Sequence, residues 1–378
     1  MYRINKNGQL KVALVGMGFG AEFVPIYRDH PDVGHVAIVE TDRQRLEETG
    51  DRFQIDTRHT DLEAVLAGDY DAVHLITPIP QHASQTLQVL NAGKHCACTV
   101  PMALTLEDLQ AIVEAQQRSQ RNYMMMETAV YTREFLYVQK LMEAGRFGKI
   151  SLARGSHYQD MEGWPPYWEG LPPHWYMTHA VSPALRLLST RAERVHCFGS
   201  GTLPPEMAAK YGNPFPAATA IFRLEGSDVA LEVTRTLFES VRPYTEAFSI
   251  YGNRLGFEWA QIDEEAPYEF YLEDAQQRRG KRIKSRRIDV PDRADLLPPE
   301  IASFTTQSVH SRGEHLSFVQ GGGHGGSHPH LVHEFVRSIV EGREPSIGVK
   351  TAANWTAAGI CAHQSAMAGG EGVVIPNF

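Results

Sequence analysis

Residues 11–21 read Lys11-Val-Ala-Leu-Val-Gly16-Met-Gly18-Phe19-Gly20-Ala21. An apolar run passes directly into a turn with three glycines in five positions. This constrains the fold more than any other stretch, because a buried strand ending on a glycine turn and leading into a helix builds an anion site from backbone alone. Gly16 permits the tight turn, Gly18 lets the main chain approach a pyrophosphate, and Ala21 allows the helix to pack closely. Phe19 and Gly20 complete the expected phosphate-binding turn. The free N–H groups and positive end of the following helix favour the phosphates. Glu40 lies at the end of the next apolar segment, near the spacing at which a carboxylate accepts ribose hydroxyls. A carboxylate there selects NAD by repelling the extra phosphate of NADP. Arg43 and Arg45 follow closely and leave some tolerance of NADP open.

The first 125 residues alternate between two periodicities. Strands are expected at 10–15, 35–40, 53–56, 71–76, 94–98 and 122–126, with helices at 20–30, 42–50, 61–67, 81–92 and 105–118. Such alternation implies right-handed βαβ units and a parallel sheet. The runs Val-Ala-Leu-Val at 12–15 and Val-Ala-Ile-Val at 36–39 suit strands buried on both faces. After Tyr131 the texture changes. A helix at 132–144 precedes strands at 149–157, 194–200, 216–224, 228–237, 245–251 and 255–260, several of which alternate apolar and polar residues, as a sheet with one covered face does. Helices are expected at 328–342 and 351–368. A chain of 378 residues accommodates two cores. Its net charge of −9 argues against nucleic acid as a partner. It contains no uninterrupted apolar run of membrane-spanning length. The polar N-terminus leads directly to the first strand, so no signal peptide and a cytoplasmic location are expected. The four cysteines read as small buried hydrophobes.

Three further motifs carry a resemblance. They are Asp71-Ala-Val-His-Leu-Ile-Thr77-Pro78-Ile-Pro-Gln-His82, Ala92-Gly-Lys94-His95, and Pro101-Met-Ala. With the glycine turn, they resemble the Gfo/Idh/MocA oxidoreductases across the N-terminal domain. The resemblance implies a Rossmann dinucleotide-binding domain over 1–128, with NAD as cofactor. It also implies an open, mostly antiparallel sheet domain over 129–378 that holds the substrate and often an oligomer interface, with C-terminal helices packing back on the first domain. A homo-oligomer, dimer or tetramer, is expected. Thr77, Pro78 and His82 are expected to line the cofactor groove. Thr99, Val100 and Pro101 stand where typical members carry Glu-Lys-Pro. Valine cannot transfer a proton. On the helix that usually carries Asp and His, Thr178 and Ser182 take those places.

The chain is also similar to the NAD-dependent glycosidase branch, of the α-N-acetylgalactosaminidase type. The shared residues are Glu127-Thr-Ala-Val-Tyr131, Phe147-Gly148, Tyr176-Met-Thr178-His179, Gly323-His324-Gly325-Gly326, Ala353-Asn-Trp355 and the tail Val374-Ile-Pro376. That branch likewise has valine in place of the lysine. The resemblance implies oxidation at ring C3, elimination across C2, hydration and re-reduction, with NAD regenerated. Where the branch has a catalytic Tyr and His near the start of the second domain, this chain has His157 and Gln159.

The stretch 156–183 is dense in Trp, Tyr, His and Pro, a composition suited to a loop over a pocket in which aromatic faces meet sugar rings. Gln159, Trp164, Trp168, Tyr176, Thr178 and His324 are the candidate substrate residues. His179 and His157 can act near neutral pH as general acid or base, and Tyr131 can relay a proton. His324 lies in a glycine-rich run suited to a lid. No histidine spacing signals a metal site. The basic run between Arg278 and Arg287 reads as a solvated loop or edge hairpin. The expected activity is NAD-dependent oxidation of a ring hydroxyl of a sugar or glycoside. Two alternatives stand beside it: a redox-neutral glycoside hydrolase or lyase, and a non-catalytic nucleotide-binding regulator.

Overall fold

The computed structural model describes residues 9–163, 170–171, 175–262, 265–273, 280–312 and 316–378. Trp164 and Trp168 lie outside the described residues. The chain forms two compact units. One comprises residues 1–132, 292–353 and 378, and the other 133–291 and 354–377.

The first unit is built on a six-stranded parallel sheet. Its strands are β1 (Leu10–Val15), β2 (Val33–Val39), β3 (Thr57–His59), β4 (Ala72–Leu75), β5 (His95–Cys98) and β6 (Tyr123–Met125), in the order β3-β2-β1-β4-β5-β6. This is a doubly wound sheet with its switch point between β1 and β4, where ligands bind in such folds. The central strands are buried on both faces, as their unbroken apolar runs require. Helices α1 (Val24–Asp29), α2 (Arg43–Phe53), α3 (Leu62–Ala67), α4 (His82–Asn91) and α5 (Leu106–Ser119) make the crossovers. Asp42, Asp61 and Thr105 each cap the helix that follows, accepting a backbone N–H three residues on.

Two expectations need correction here. The strand expected at 53–56 begins only at Thr57. Phe53 is instead the buried last residue of α2, and the chain turns through left-handed Gln54 before pairing. The helix expected over 20–30 is broken into a single 3-10 turn, Phe19–Glu22, followed by α1.

Residues 292–353 add a two-stranded hairpin, Ser308–Arg312 with Leu316–Gln320, and the helix Gly323–Val340. That helix buries Leu331, Val332, Phe335 and Val336. Its Arg337 pairs with Asp32 at 2.9 Å.

The second unit is a nine-stranded mixed sheet. Its strands are β7 (Ile150–Tyr158), β8 (Ala192–Ser200), β9 (Ala217–Leu224), β10 (Ala230–Thr236), β11 (Thr245–Gly252), β12 (Leu255–Glu258), β13 (Tyr268–Leu272), β14 (Ile283–Arg287) and β15 (Val373–Val374). The order is β14-β13-β12-β11-β7-β10-β9-β8-β15, antiparallel throughout except for the parallel pair β7 and β10. Helices α6 (Arg133–Glu143) and α7 (Thr178–Leu187) belong to this unit. The end of the basic run, Ile283–Arg287, is the exposed edge strand β14, and Arg278 and Arg279 lie outside the described residues. Arg282 and Lys284 pair with Glu273, and Arg286 pairs with Glu269. Charged edges of this kind discourage strand addition.

Candidate functional site

The dinucleotide turn is held in place by contacts that leave its outer side open. Gly16 has φ +95°, and a Cβ there would collide with the Ile76 carbonyl on the loop after β4. Only glycine allows β1 and that loop to approach so closely. A Cβ built on Gly18, by contrast, meets nothing within 4 Å, so its backbone is accessible to a ligand. Phe19 is exposed, Gly20 is buried and Ala21 is half-buried.

Glu40 bridges back to this turn. Its Oε2 accepts the Met17 N–H at 2.9 Å, and its Oε1 accepts the Asp42 N–H at 3.1 Å and the Thr41 hydroxyl at 3.2 Å. Arg45 approaches Oε2 at 3.6 Å. A carboxylate offers about four acceptor positions, so with three of them used Glu40 keeps capacity for about one ribose hydroxyl.

Thr77 donates its hydroxyl proton to Gln85 Oε1 at 2.5 Å, and Pro78 is exposed beside it. His82 is fully buried and acts as a brace. Its Nδ1 lies 2.8 Å from the Pro101 carbonyl and its Nε2 2.8 Å from the Thr77 carbonyl. Burial lowers its pKa even though both carbonyl contacts favour the charged ring. His82 therefore ties the loop after β4 to the loop after β5 from beneath. In the latter, Thr99 donates its N–H to the Leu75 carbonyl at 3.1 Å, and Val100 and Pro101 are buried and joined by a cis peptide. Tyr131, also in the first unit, shares a 2.5 Å hydrogen bond with Ser346 and stacks on His330.

The second unit gathers a different chemistry on the face of its sheet beneath α7. The registers of β10, β7 and β11 place Arg235, His157 and Glu246 side by side in one row. One row along stand Val233, Gly155 and Phe248. Gly155 is where α7 touches the sheet, and a Cβ there would overlap the Ala180 carbonyl. This close approach brings His179, the second residue of α7, down onto the polar row. His179 Nε2 lies 3.1 Å from the Tyr176 hydroxyl and 3.4 Å from Glu246 Oε1. Tyr244 donates its hydroxyl proton to the same carboxylate oxygen. The His157 ring meets those of His179 and Tyr244 edge-on at 5.2 Å and is tilted against Tyr176 at 5.8 Å. The result is a carboxylate, an imidazole and two phenols within one hydrogen-bonded array.

Arg235 supports this array from below. Its guanidinium is completely buried, yet the four oxygens it bonds are uncharged. It donates to the Tyr176 carbonyl at 3.0 Å, to the His157 and Thr236 carbonyls at 3.2 and 2.6 Å, and to Gln159 Oε1 at 2.9 Å. Burial lowers its pKa to about 10, which still leaves it charged at neutral pH. Gln159, expected at the substrate, is thus buried with its oxygen on Arg235. Thr178 and Ser182 are buried on α7, and their hydroxyls have no hydrogen-bond partner among the described residues. His324 lies in the first unit, where it and the two glycines after it, Gly325 and Gly326, have positive φ and interrupt the helical path at the head of the span Gly323–Val340.

Residues 10–127 match the profile described as "Oxidoreductase family, NAD-binding Rossmann fold". Over these residues the chain is similar to the Gfo/Idh/MocA oxidoreductases. The dinucleotide this domain binds is NAD, and the open Gly18 backbone and anchored Glu40 fit it. The chain is 23% identical to a "Glycosyl hydrolase family 109 protein" of Streptomyces filamentosus over 410 aligned positions, covering 99% of this chain and 78% of that protein. It is 29% identical to an alpha-N-acetylgalactosaminidase of Shewanella oneidensis over 163 positions, 39% of this chain and 36% of that one. A levoglucosan dehydrogenase solved with NADH and levoglucosan shares the fold, with a TM-score of 0.74 at 20% identity, covering 98% of this chain and all of that one.

Residue-type reasoning missed Arg235, Tyr244 and Glu246. A signal was present. Along β10, Leu231 and Val233 precede Arg235 at alternate positions, and along β11, Ile250 and Phe248 lead back to Glu246. A charged residue at the inward position of an otherwise apolar face requires partners. Among the described residues, no cluster of His, Cys, Asp and Glu is arranged to hold a metal ion, and no helix is long and apolar enough to cross a membrane.

Proposed function

We propose that this chain is an NAD-dependent oxidoreductase acting on a ring hydroxyl of a sugar or glycoside, with His179 as the base. The observation that carries the reading is the His179–Tyr176–Glu246 array. Oxidising an alcohol removes a hydride from carbon and a proton from oxygen. NAD, when bound, supplies the hydride acceptor. The proton needs a base, and Val100 cannot serve. His179 supplies one, and the adjacent Glu246 carboxylate stabilises the imidazolium that forms. Tyr176 orients the ring and can pass a proton onward. Tyr244, an exposed residue bonded to Glu246, offers an aromatic ring beside this array. His157 packs against all three rings and sets their spacing. Tyr131 keeps its proposed role as a proton relay, its hydroxyl bonded to Ser346 within the first unit.

A second reading is favoured by one feature of the same array. It contains two proton-handling pairs, His179 with Tyr176 and Glu246 with Tyr244. A redox-neutral glycosidase needs both, one for the hydroxyl that is oxidised and reduced back and one for the C–H made acidic by the neighbouring carbonyl. The glycosyl hydrolase names of the relatives point the same way.

Free sugars and aryl glycosides incubated with the protein and NAD in deuterated water separate the readings. NADH accumulation supports net oxidation. Aglycone release without NADH, with deuterium at C2, supports the glycosidase. With NAD bound and neither product formed from any sugar, both enzymatic readings fail and a nucleotide-binding regulator takes their place.

A further inference from the structure

The first unit contains a histidine pair that the proposed reaction leaves unused. His324 Nδ1 lies 3.1 Å from His328 Nε2. Both rings meet Phe19 edge-on, at 5.6 and 5.5 Å between centroids, and Phe19 stands between Gly18 and Gly20 on the dinucleotide turn. His328 is buried against Phe23 at 4.6 Å. Its pKa is held well below the ordinary imidazole value, by burial first and by His324 second.

A separate contact joins the two glycine-rich segments. Gln320, immediately before Gly321, donates to the Glu22 carbonyl at 2.8 Å and to its carboxylate at 3.1 Å. The run 321–328 is thereby fastened beside the turn 16–22, although some 300 residues separate them in sequence. His324 is half-buried and held at φ +45°, ψ +56°. A non-glycine residue in this region is uncommon, and such conformations cluster at functional sites.

We propose that His324 is a cofactor residue rather than a substrate residue: fixed by His328 and packed against Phe19, its imidazole donates a hydrogen bond to the diphosphate of NAD seated on the Gly16–Ala21 turn. The proposal rests on the NAD assignment. His328 stays neutral and so carries one ring proton. If that proton is on Nε2, it bonds His324 Nδ1 and leaves the His324 proton on Nε2. The proposed contact takes this first tautomer, since a neutral His324 that donated from Nδ1 would have no Nε2–H to give. A side-chain donor then complements the backbone N–H groups of the turn.

Titration calorimetry of nucleotide-free protein with NAD, ADP-ribose and AMP tests this, since AMP shares the adenosine but lacks the diphosphate. His324→Ala is expected to weaken NAD and ADP-ribose alike by about tenfold, the effect of one lost hydrogen bond to a charged group. AMP affinity is expected to change less than twofold. His324→Gln, which retains a donor, is expected to stay within about threefold of the parent. Parent protein that binds neither NAD nor ADP-ribose overturns the cofactor assignment itself. Normal parent binding with unchanged affinity in His324→Ala overturns only the role of His324. An equal loss for all three ligands, or a Gln variant as weak as Ala, refutes the diphosphate contact.

Discussion

Replacing Arg235 by methionine is the most direct test of how the polar array in the second unit is supported. Methionine has similar length and no donor. Four oxygens from four residues lose their partner at once: the carbonyls of Tyr176, His157 and Thr236, and Gln159 Oε1. At about 1 kcal/mol for each buried acceptor left unmade, the cost is about 4 kcal/mol. Urea unfolding followed by tryptophan fluorescence should show a destabilisation of that size, which is a large part of the stability of most domains. Arg235→Lys keeps the charge with fewer, differently placed donors and should recover about half of the loss. Where the Met variant still folds, kcat should fall more than KM rises, because Arg235 holds Tyr176, and with it His179, without touching substrate. A Met variant within 0.5 kcal/mol of the parent would refute the reasoning.

Other outcomes follow from the same geometry. His179→Ala should lower kcat by about 10²-fold or more, the range for a lost general acid or base; a folded variant turning over normally removes His179 from the mechanism. Gly155→Ala forces α7 away from the Ala180 carbonyl contact and should cost about 1–3 kcal/mol with a disproportionate loss of kcat, since sub-ångström placement of His179 is lost; unchanged melting and turnover would contradict the packing argument. NAD should bind more tightly than NADP by calorimetry, and Glu40→Gln should narrow the gap; a parent preference for NADP would sink the Glu40 assignment. Stability should fall on acidification. Burial pushes His74 to about 3 and His30, His95 and His330 to about 4, so each stays neutral in the folded chain while the unfolded chain takes up protons near 6.5. Their contribution is complete above about pH 6.5 and is lost as pH falls toward 4, reaching about 2 kcal/mol per histidine at pH 5. The melting temperature should drop between pH 7 and 5, less steeply in His74→Phe; a flat profile would count against burial of these rings.

The sequence alone determined the dinucleotide half of this protein. A strand, a glycine turn, a helix and an acid at the end of β2 are local in the chain, and local geometry suffices to build an anion site from backbone N–H groups. The alternation of periodicities likewise determined the parallel sheet, and the polar–apolar alternation determined the one-sided strands of the second unit. Boundaries were less legible. Phe53 read as part of a strand because a buried aromatic at a helix end carries the same signal as a short apolar strand, and only the left-handed turn at Gln54 separates the two.

The polar array of the second unit was different. His179 and Tyr176 were visible as a motif because they lie on one turn of chain. Glu246 and Arg235 were not, since each is an isolated charge in a strand far away in sequence. What joins them is strand register: Arg235 and Glu246 each pair with His157 from opposite sides. Register is decided by which residues a sheet buries, and it places side chains from three strands in one row only after the whole sheet has formed. The contact of Gln320 with Glu22, which sets His324 and His328 beside Phe19, was hidden for the same reason. Chemistry carried by a continuous segment can be read from the chain; chemistry assembled across strands belongs to the tertiary structure.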